Sequence, residues 1–240
     1  MKKVNHWLAV VLLAFVSIVS ASAQLYPPVQ LFDECTTPAA IHGFNVVNSG
    51  TGAAQSQVAG TALRPGIVQL STGTTTSGYS YRGTGDSNSV SFTTPGSGVL
   101  LYETAVNIPT LPDGTDSAGI REGFLAGTSG DNNNDICFKY TNASTHLICR
   151  TDNAGTATTT TLGSAYDPVA GTFQKLAIRV DEKAKEVNFY VNDVLVATHK
   201  TNIPTAAVGA GVSILKTAGT TARTVQVDYQ SVKYFQTTLR

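Results

Sequence analysis

The sequence predicts an all-β protein built as a two-sheet antiparallel β-sandwich, and three observations carry that prediction. Threonine (33 residues) and glycine (22) are abundant in a 240-residue chain with only 13% charged residues, a composition of short strands and turns rather than helical bundles. Beyond the Tyr26-Pro27-Pro28 lead, nearly every stretch alternates apolar and polar residues with period two, interrupted by Gly, Asn, Asp and Thr. No amphipathic helix is visible. The length suits one globular domain or at most two small ones, and Lys+Arg and Asp+Glu balance at 16 each. With no basic stripe to neutralise phosphates, nucleic acid is not an expected partner.

The first 23 residues read as a secretory signal. Lys2 and Lys3 form the positive start, Trp7 through Val19 the apolar core, and Ala21-Ser22-Ala23 the small-residue cleavage site. The apolar run is shorter than the roughly 20 residues of a spanning helix, so cleavage before Gln24 is expected. No later stretch is apolar enough to span a bilayer, and the product is expected to be secreted: extracellular, periplasmic or at the cell surface. Trp7 is the only tryptophan, so any sugar-stacking platform on the processed chain would have to use tyrosine.

Residues 24–60 are expected to form an N-terminal lead packing across a sheet edge, and residues 61–240 the sandwich itself. Candidate strands cover 66–71, 89–93, 99–108, 119–126, 135–140, 146–151, 173–181, 186–191, 194–199, 211–216 and 223–235. Leu100, Tyr102, Thr104, Val106 and Ile108 share one side of their strand, as do Leu176, Ile178 and Val180, and such one-sided faces imply stacked sheets. A two-residue Asn192-Asp193 turn predicts Val191 opposite Val194, Phe189 opposite Val196 and Val187 opposite Thr198 on the core face. The opposite face would carry Tyr190, Asn188, Glu186 and His199. In the last strand the apolar phase shifts between Val227 and Val232, which predicts a bulge near Gln230. The run TATTTT at 156–161 fits either an exposed strand edge or a mobile connection.

Three cysteines, Cys35, Cys137 and Cys149, would meet oxidising conditions in an exported chain. A symmetric hairpin of DICFKY and HLICR places Cys137 directly opposite Cys149, at a Cβ separation of roughly 4.5–5.5 Å. A modest local adjustment would bridge them, and a Cys137–Cys149 disulfide is expected, the alternative being two buried thiols facing each other. The same alternation puts Tyr140, His146 and Arg150 on the core side with Ile136, Phe138 and Ile148, and Lys139 on the open, cysteine side.

Three stretches resemble the concanavalin A-like lectin/glucanase superfamily, the laminin-G-like jelly roll: RPGIVQLSTGTTTSGY (64–79), the GFLAG…DICFKY…HLICRTDNAG run (123–155), and VNFYVNDVLVATHKTNIP with ILKTAGTTARTVQVDYQSVKY (187–234). They cover most of 64–234. The resemblance implies the jelly-roll sandwich, and similar modules in exported bacterial and phage virion-associated proteins serve binding or structural roles. A fold does not transfer an activity.

The glucanases of that superfamily carry a Glu-x-Asp-x-Glu strand, which aims alternate carboxylates into one groove. This chain has no such strand. Its five glutamates are Glu34, Glu103, Glu122, Glu182 and Glu186, of which Glu103 and Glu122 could meet across adjacent strands. A Gly-x-Ser-x-Gly elbow and a phosphate loop are also missing. A lyase could draw on Tyr79, Tyr81 and Arg82, or on Lys139, Tyr140, His146 and Arg150. Asp131, Asn133 and Asp135 supply oxygens at alternate positions, as calcium loops do, although Ile136 replaces the EF-hand turn glycine and Asn142 the bidentate glutamate. An Asx-rich turn accounts for the same residues.

The sequence therefore points to an exported, non-catalytic binder of glycan or another cell-surface ligand. Its expected contacts are Tyr79, Tyr81, Arg82 and Lys139, with calcium as the one cofactor considered, at Asp131, Asn133 and Asp135. The alternatives are a self-associating structural or adhesive subunit and, third, a polysaccharide-degrading hydrolase or lyase.

Overall fold

The computed structural model describes residues 29–40, 43–84, 92–93, 98–130, 133–182 and 185–236; the expected signal segment lies outside them. In chain order the strands are β1 (Val29–Asp33), β2 (Asn45–Ser49), β3 (Ala53–Val58), β4 (Ile67–Thr72), β5 (Tyr79–Gly83), β6 (Phe92–Thr93), β7 (Gly98–Asn107), β8 (Ala118–Leu125), β9 (Ile136–Thr141), β10 (Ile148–Asn153), β11 (Thr156–Thr161), β12 (Gln174–Asp181), β13 (Glu186–Val191), β14 (Val194–His199), β15 (Ala207–Lys216) and β16 (Thr224–Gln236). One 3-10 turn, Ser164–Tyr166, precedes β12. The first sheet runs β14-β13-β12-β7-β16-β4-β3, with β1 also paired to β16. The second runs β11-β10-β9-β8-β15-β5-β2, with β6 paired to β15. Among the described residues no helix is long and apolar enough to cross a membrane.

The core lies between the sheets, and the predicted one-sided faces meet there. Leu100, Tyr102, Val106 and Ile108 of the β7 segment, and Leu176, Ile178 and Val180 of β12, are all buried. Opposite them pack Ile120 and Phe124 of β8, Ile136 and Phe138 of β9, and Val212 and Ile214 of β15. Phe138 and Phe189 meet edge to face across the sandwich at 5.3 Å, a preferred aromatic geometry.

The β13–β14 turn forms as expected, with Asn192 and Asp193 both at positive φ (48° and 67°), the requirement of the tight hairpin turn that matches strand twist. Val191 pairs with Val194 and Tyr190 with Leu195, but the register then shifts, placing Phe189 opposite Ala197 and Val187 opposite His199. The predicted Phe189–Val196 and Val187–Thr198 pairs are thereby corrected. The extra residue turns His199 inward, 3% exposed and edge-on to Phe189 at 5.1 Å. Its Nδ1 meets the Thr151 hydroxyl at 3.1 Å and its Nε2 the Thr160 hydroxyl at 2.9 Å. The strand TATTTT thus becomes β11, whose inward threonines join the edges of the two sheets. In β16 the bulge falls between Val227 and Tyr229, close to its expected place.

The N-terminal segment does more than lie across an edge. β1 joins the first sheet beside β16, β3 extends it beside β4, and β2 closes the second sheet beside β5.

The expected disulfide is a correction as well. Cys137 stands opposite Arg150 and Cys149 opposite Phe138, one residue out of the symmetric register, and a one-residue slip reverses the face of every side chain. Cys149 enters the inter-sheet core, while Cys137 packs on the far face with Tyr81 and Leu125, and no disulfide joins them. Burial pushes the Cys35 and Cys149 thiols well above the ordinary range. Titration of the unreduced protein in denaturant should therefore find three thiols per chain, and Cys35 and Cys149 should resist thiol reagents in the native state. A single thiol in denaturant would restore the disulfide.

Candidate functional site on the outer face of the second sheet

The register lays out this face row by row. One row runs Tyr79–Leu215–Gly119–Thr141 and the next Tyr81–Ser213–Arg121–Lys139–Ile148. A third carries Gly83, Gly211, Gly123, Cys137 and Arg150. Ile148 and Arg150 therefore point outward, not to the core side expected for them, whereas Tyr140 is buried with Ile136 and Phe138 as predicted. His146 sits apart, its Nδ1 2.8 Å from Asp167.

The four expected contact residues separate. Tyr79 is partly exposed opposite Leu215, and Lys139 is partly exposed opposite Arg121. Tyr81 is fully buried, its ring lying against Gly83 and Gly211. A Cβ on Gly83 would come within 2.4 Å of the Tyr81 Oη, and one on Gly211 within 2.9 Å of its Cε2. An aromatic covering strand glycines fills the space their missing side chains leave, so Tyr81 is packing rather than a ligand platform. Arg82 alternates to the inner side, fully buried and 2.6 Å from Asp33. Both are corrected as surface contacts.

The expected calcium loop also resolves differently. Asp131 lies outside the described residues, and the Asn133 carbonyl accepts the Gly155 N–H at 3.1 Å. Asp135 is fully buried. One of its oxygens accepts the Ala126 N–H at 2.9 Å; the other meets Arg121 at 3.0 Å and Arg150 at 3.5 Å. Arg150 turns its second Nη to Asp152, whose other oxygen accepts the Gly155 N–H at 2.9 Å. Asp135 is thus a strut beneath the face, not an oxygen ligand presented to a cation. Among the described residues no group of three His, Cys, Asp or Glu could hold a metal ion.

Glu103 and Glu122 lie in different sheets. Glu103 accepts the Tyr229 hydroxyl at 2.6 Å and meets Lys175 at 3.2 Å. Glu122 lies between the sheets, where burial pushes its carboxyl up to about 8. The acid–base pair conceivable from the sequence does not form.

The face does contain a recess of about 170 Å3, lined among the described residues by Gly119, Arg121, Gly130, Lys139, Thr141, Leu215 and Thr217. Arg121 is only 3% exposed and is fixed by Asp135 and by the Ser213 hydroxyl at 3.5 Å. Sequence reasoning found Lys139 and the neighbouring Tyr79 but missed Arg121, whose one signal was its alternation with Gly119 and Gly123.

A family model described as "SO2946-like, C-terminal domain" matches residues 63–228. No curated protein matches the chain. Among solved structures the chain is similar to SO2946 from Shewanella oneidensis MR-1, a protein of unknown function, with 12% identity, 89% of each chain covered and a TM-score of 0.61. It is similar to a Bacillus licheniformis beta-glucanase at 15% identity, covering 86% of this chain and 98% of that one, with a TM-score of 0.56. Peanut lectin follows at 13% identity, 87% and 98% coverage and a TM-score of 0.52. The sandwich is the concanavalin A-like jelly roll implied by the sequence resemblance.

Proposed function

The chain belongs to the SO2946-like C-terminal domain family, and from that premise we propose that it is an exported, non-catalytic protein that binds glycan at the recess on the second sheet. The observation that carries the proposal is the state of two carboxylates among the described residues of that face, Asp135 and Asp152. Glycoside hydrolysis by two carboxyl groups needs both presented to the scissile bond. Asp135 and Asp152 are instead buried and held by Arg121 and Arg150. What the recess presents is cationic N–H groups, two threonine hydroxyls and, beside them, Tyr79: groups that hold a sugar without cleaving it. The fold shared with a lectin and a glucanase supports a carbohydrate ligand, and Lys2 to Ala23 supports export.

A glycan array probed with exported protein, whose intact mass shows Gln24 as its first residue, tests the proposal. Retention of a glycan that is unchanged by chelator and leaves its length unaltered is the expected result. Shortened or unsaturated products would overturn the non-catalytic assignment. An empty array with concentration-dependent mass in light scattering would favour an adhesive subunit, for which β11 offers a terminal strand with Ala157, Thr159 and Thr161 exposed.

A further inference from the structure

We infer that β11 is a dimerisation edge whose partner is the β11 of a second copy of this chain, paired antiparallel about a two-fold axis at Thr159. This pairing is independent of what the recess binds. β11 ends the second sheet beside β10, and the hydrogen bonds of that pair fix which of its backbone groups are left at the edge. The Leu162 N–H donates to the Leu147 carbonyl at 2.9 Å, and the Asp152 N–H to the Asp135 carbonyl at 2.8 Å. Bonded and non-bonded pairs alternate along an antiparallel ladder, so the even-numbered residues of β10 bond to β9 and its odd-numbered residues to β11. On β11 that assigns Thr156, Thr158 and Thr160 to β10. The N–H and C=O groups of Ala157, Thr159 and Thr161 point to the open side of the strand.

Those three residues are symmetric about Thr159. With Thr159 set opposite its own copy, Ala157 falls opposite Thr161, and every outward N–H meets an outward C=O. Three donors and three acceptors on each strand then close about six hydrogen bonds. Among the described residues β11 pairs with β10 alone, and no other backbone hydrogen bond meets these groups. The side chains agree. Ala157, Thr159 and Thr161 are exposed, whereas Thr158 and Thr160 turn to Thr201 and His199, and cross-strand threonine pairs are favourable.

The usual blocks to such pairing are charge, proline and a bulge, and β11 has none of them. TATTTT is uncharged and proline-free, and its register with β10 runs unbroken from Thr156 to Thr161. β14, which ends the other sheet, has a register shift in its pairing with β13, and a bulge of that kind bends and twists a strand. Arg150, opposite Thr159, stands three strand spacings from its copy, about 14 Å, beyond the Debye length of about 8 Å at physiological salt. A two-fold axis of this kind is perpendicular to the sheet, so the two second sheets merge into one and their outer faces point the same way. Both recesses then face one polymer or surface together, which raises avidity without a new contact. Solvent-exposed strand pairing over so short a length is a small contact, so the dimer belongs to high local concentration.

Sedimentation equilibrium of the exported protein from about 5 µM to about 1 mM tests the pairing. The mass should rise with concentration and stop at two copies. Thr159→Lys sets like charges directly opposite each other at the axis and should weaken the dimer about tenfold at low salt, with recovery as salt rises to about 300 mM. Thr159→Pro removes an N–H that β10 does not use, which an edge strand tolerates, and should weaken the dimer at every salt concentration. Both should leave the urea unfolding midpoint of the dilute protein near that of the parent. A protein still monomeric at about 1 mM, growth beyond two copies, which marks a head-to-tail contact, or a dimer indifferent to either substitution would overturn the pairing. Glycan retention by the dilute monomer is read separately, so failure at the recess and failure at the edge are distinct results.

Discussion

Replacing Asp33 by alanine is expected to destabilise the protein by about 3–5 kcal/mol, the usual cost of leaving a buried charge without its partner. Asp33 and Arg82 are both fully buried, with Arg82 Nε 2.6 Å from the carboxylate. Among the described residues the contacts of the Arg82 Nη1 are long: 3.5 Å to the Pro38 carbonyl, 3.3 Å to that of Ala39 and 3.4 Å to Gln55. Its Nη2 has no hydrogen-bond partner among the described residues. Asp33 also accepts the Cys35 N–H at 2.9 Å, holding Cys35 at a φ of 52°. Against a typical total stability of about 5–15 kcal/mol, the loss should appear as a large fall in the urea midpoint. The double variant D33L/R82M, which removes the charge with its partner, should recover much of it. Equal destabilisation of the single and double variants would show that the pair's charge is not what matters.

Glu122→Gln is expected to stabilise the protein, and to do so increasingly as pH rises. Burial pushes the folded-state carboxyl from an ordinary value of 4.5 up to about 8, so between those values the native state holds a proton that the unfolded state has released. Stability then falls with rising pH by about 1.4 kcal/mol per unit across that window. The accumulated loss at pH 8 is on the order of 4 kcal/mol. The effect is fully absent below pH 4.5, where both states are protonated. A neutral glutamine of similar shape escapes the titration. Urea unfolding at pH 5 and pH 8 should therefore show a pH-dependent gap between wild type and variant, wide at the higher value and narrow at the lower. Parallel pH slopes in the two proteins would place the titrating group elsewhere.

Much of the fold was legible in the sequence because alternation is a property of a single strand. Leu100, Tyr102, Val106 and Ile108 declare the inward face of β7 with no knowledge of its neighbours, and Asn192-Asp193 declares its turn. Among the strands that escaped notice, β2 reads NVVNS and β3 reads AAQSQV, half-exposed edges with too little apolar pattern to mark them, while β1 and β5 are short, and β5, YSYRG, lies inside its sheet. The candidate site was legible only in part. Lys139 lies on the open face where strand alternation placed it, and Tyr79, singled out by residue type alone, lies on the same face.

Register and sheet assignment depend on partners that are remote in the chain, and there the sequence by itself was silent. One residue of slip between β9 and β10 separated Cys137 from Cys149 and turned Arg150 outward. Membership of opposite sheets kept Glu103 from Glu122. Arg82 became a buried partner of Asp33 because β1, forty-nine residues earlier, folds back beside β16. The sequence alone determined that the chain makes a two-sheet sandwich and which faces of its long strands seek the core, since hydrophobic burial acts on each strand's own pattern. Only the tertiary structure decided which charges are paired beneath the surface and which line a recess, because that depends on how the strands align across the sheet.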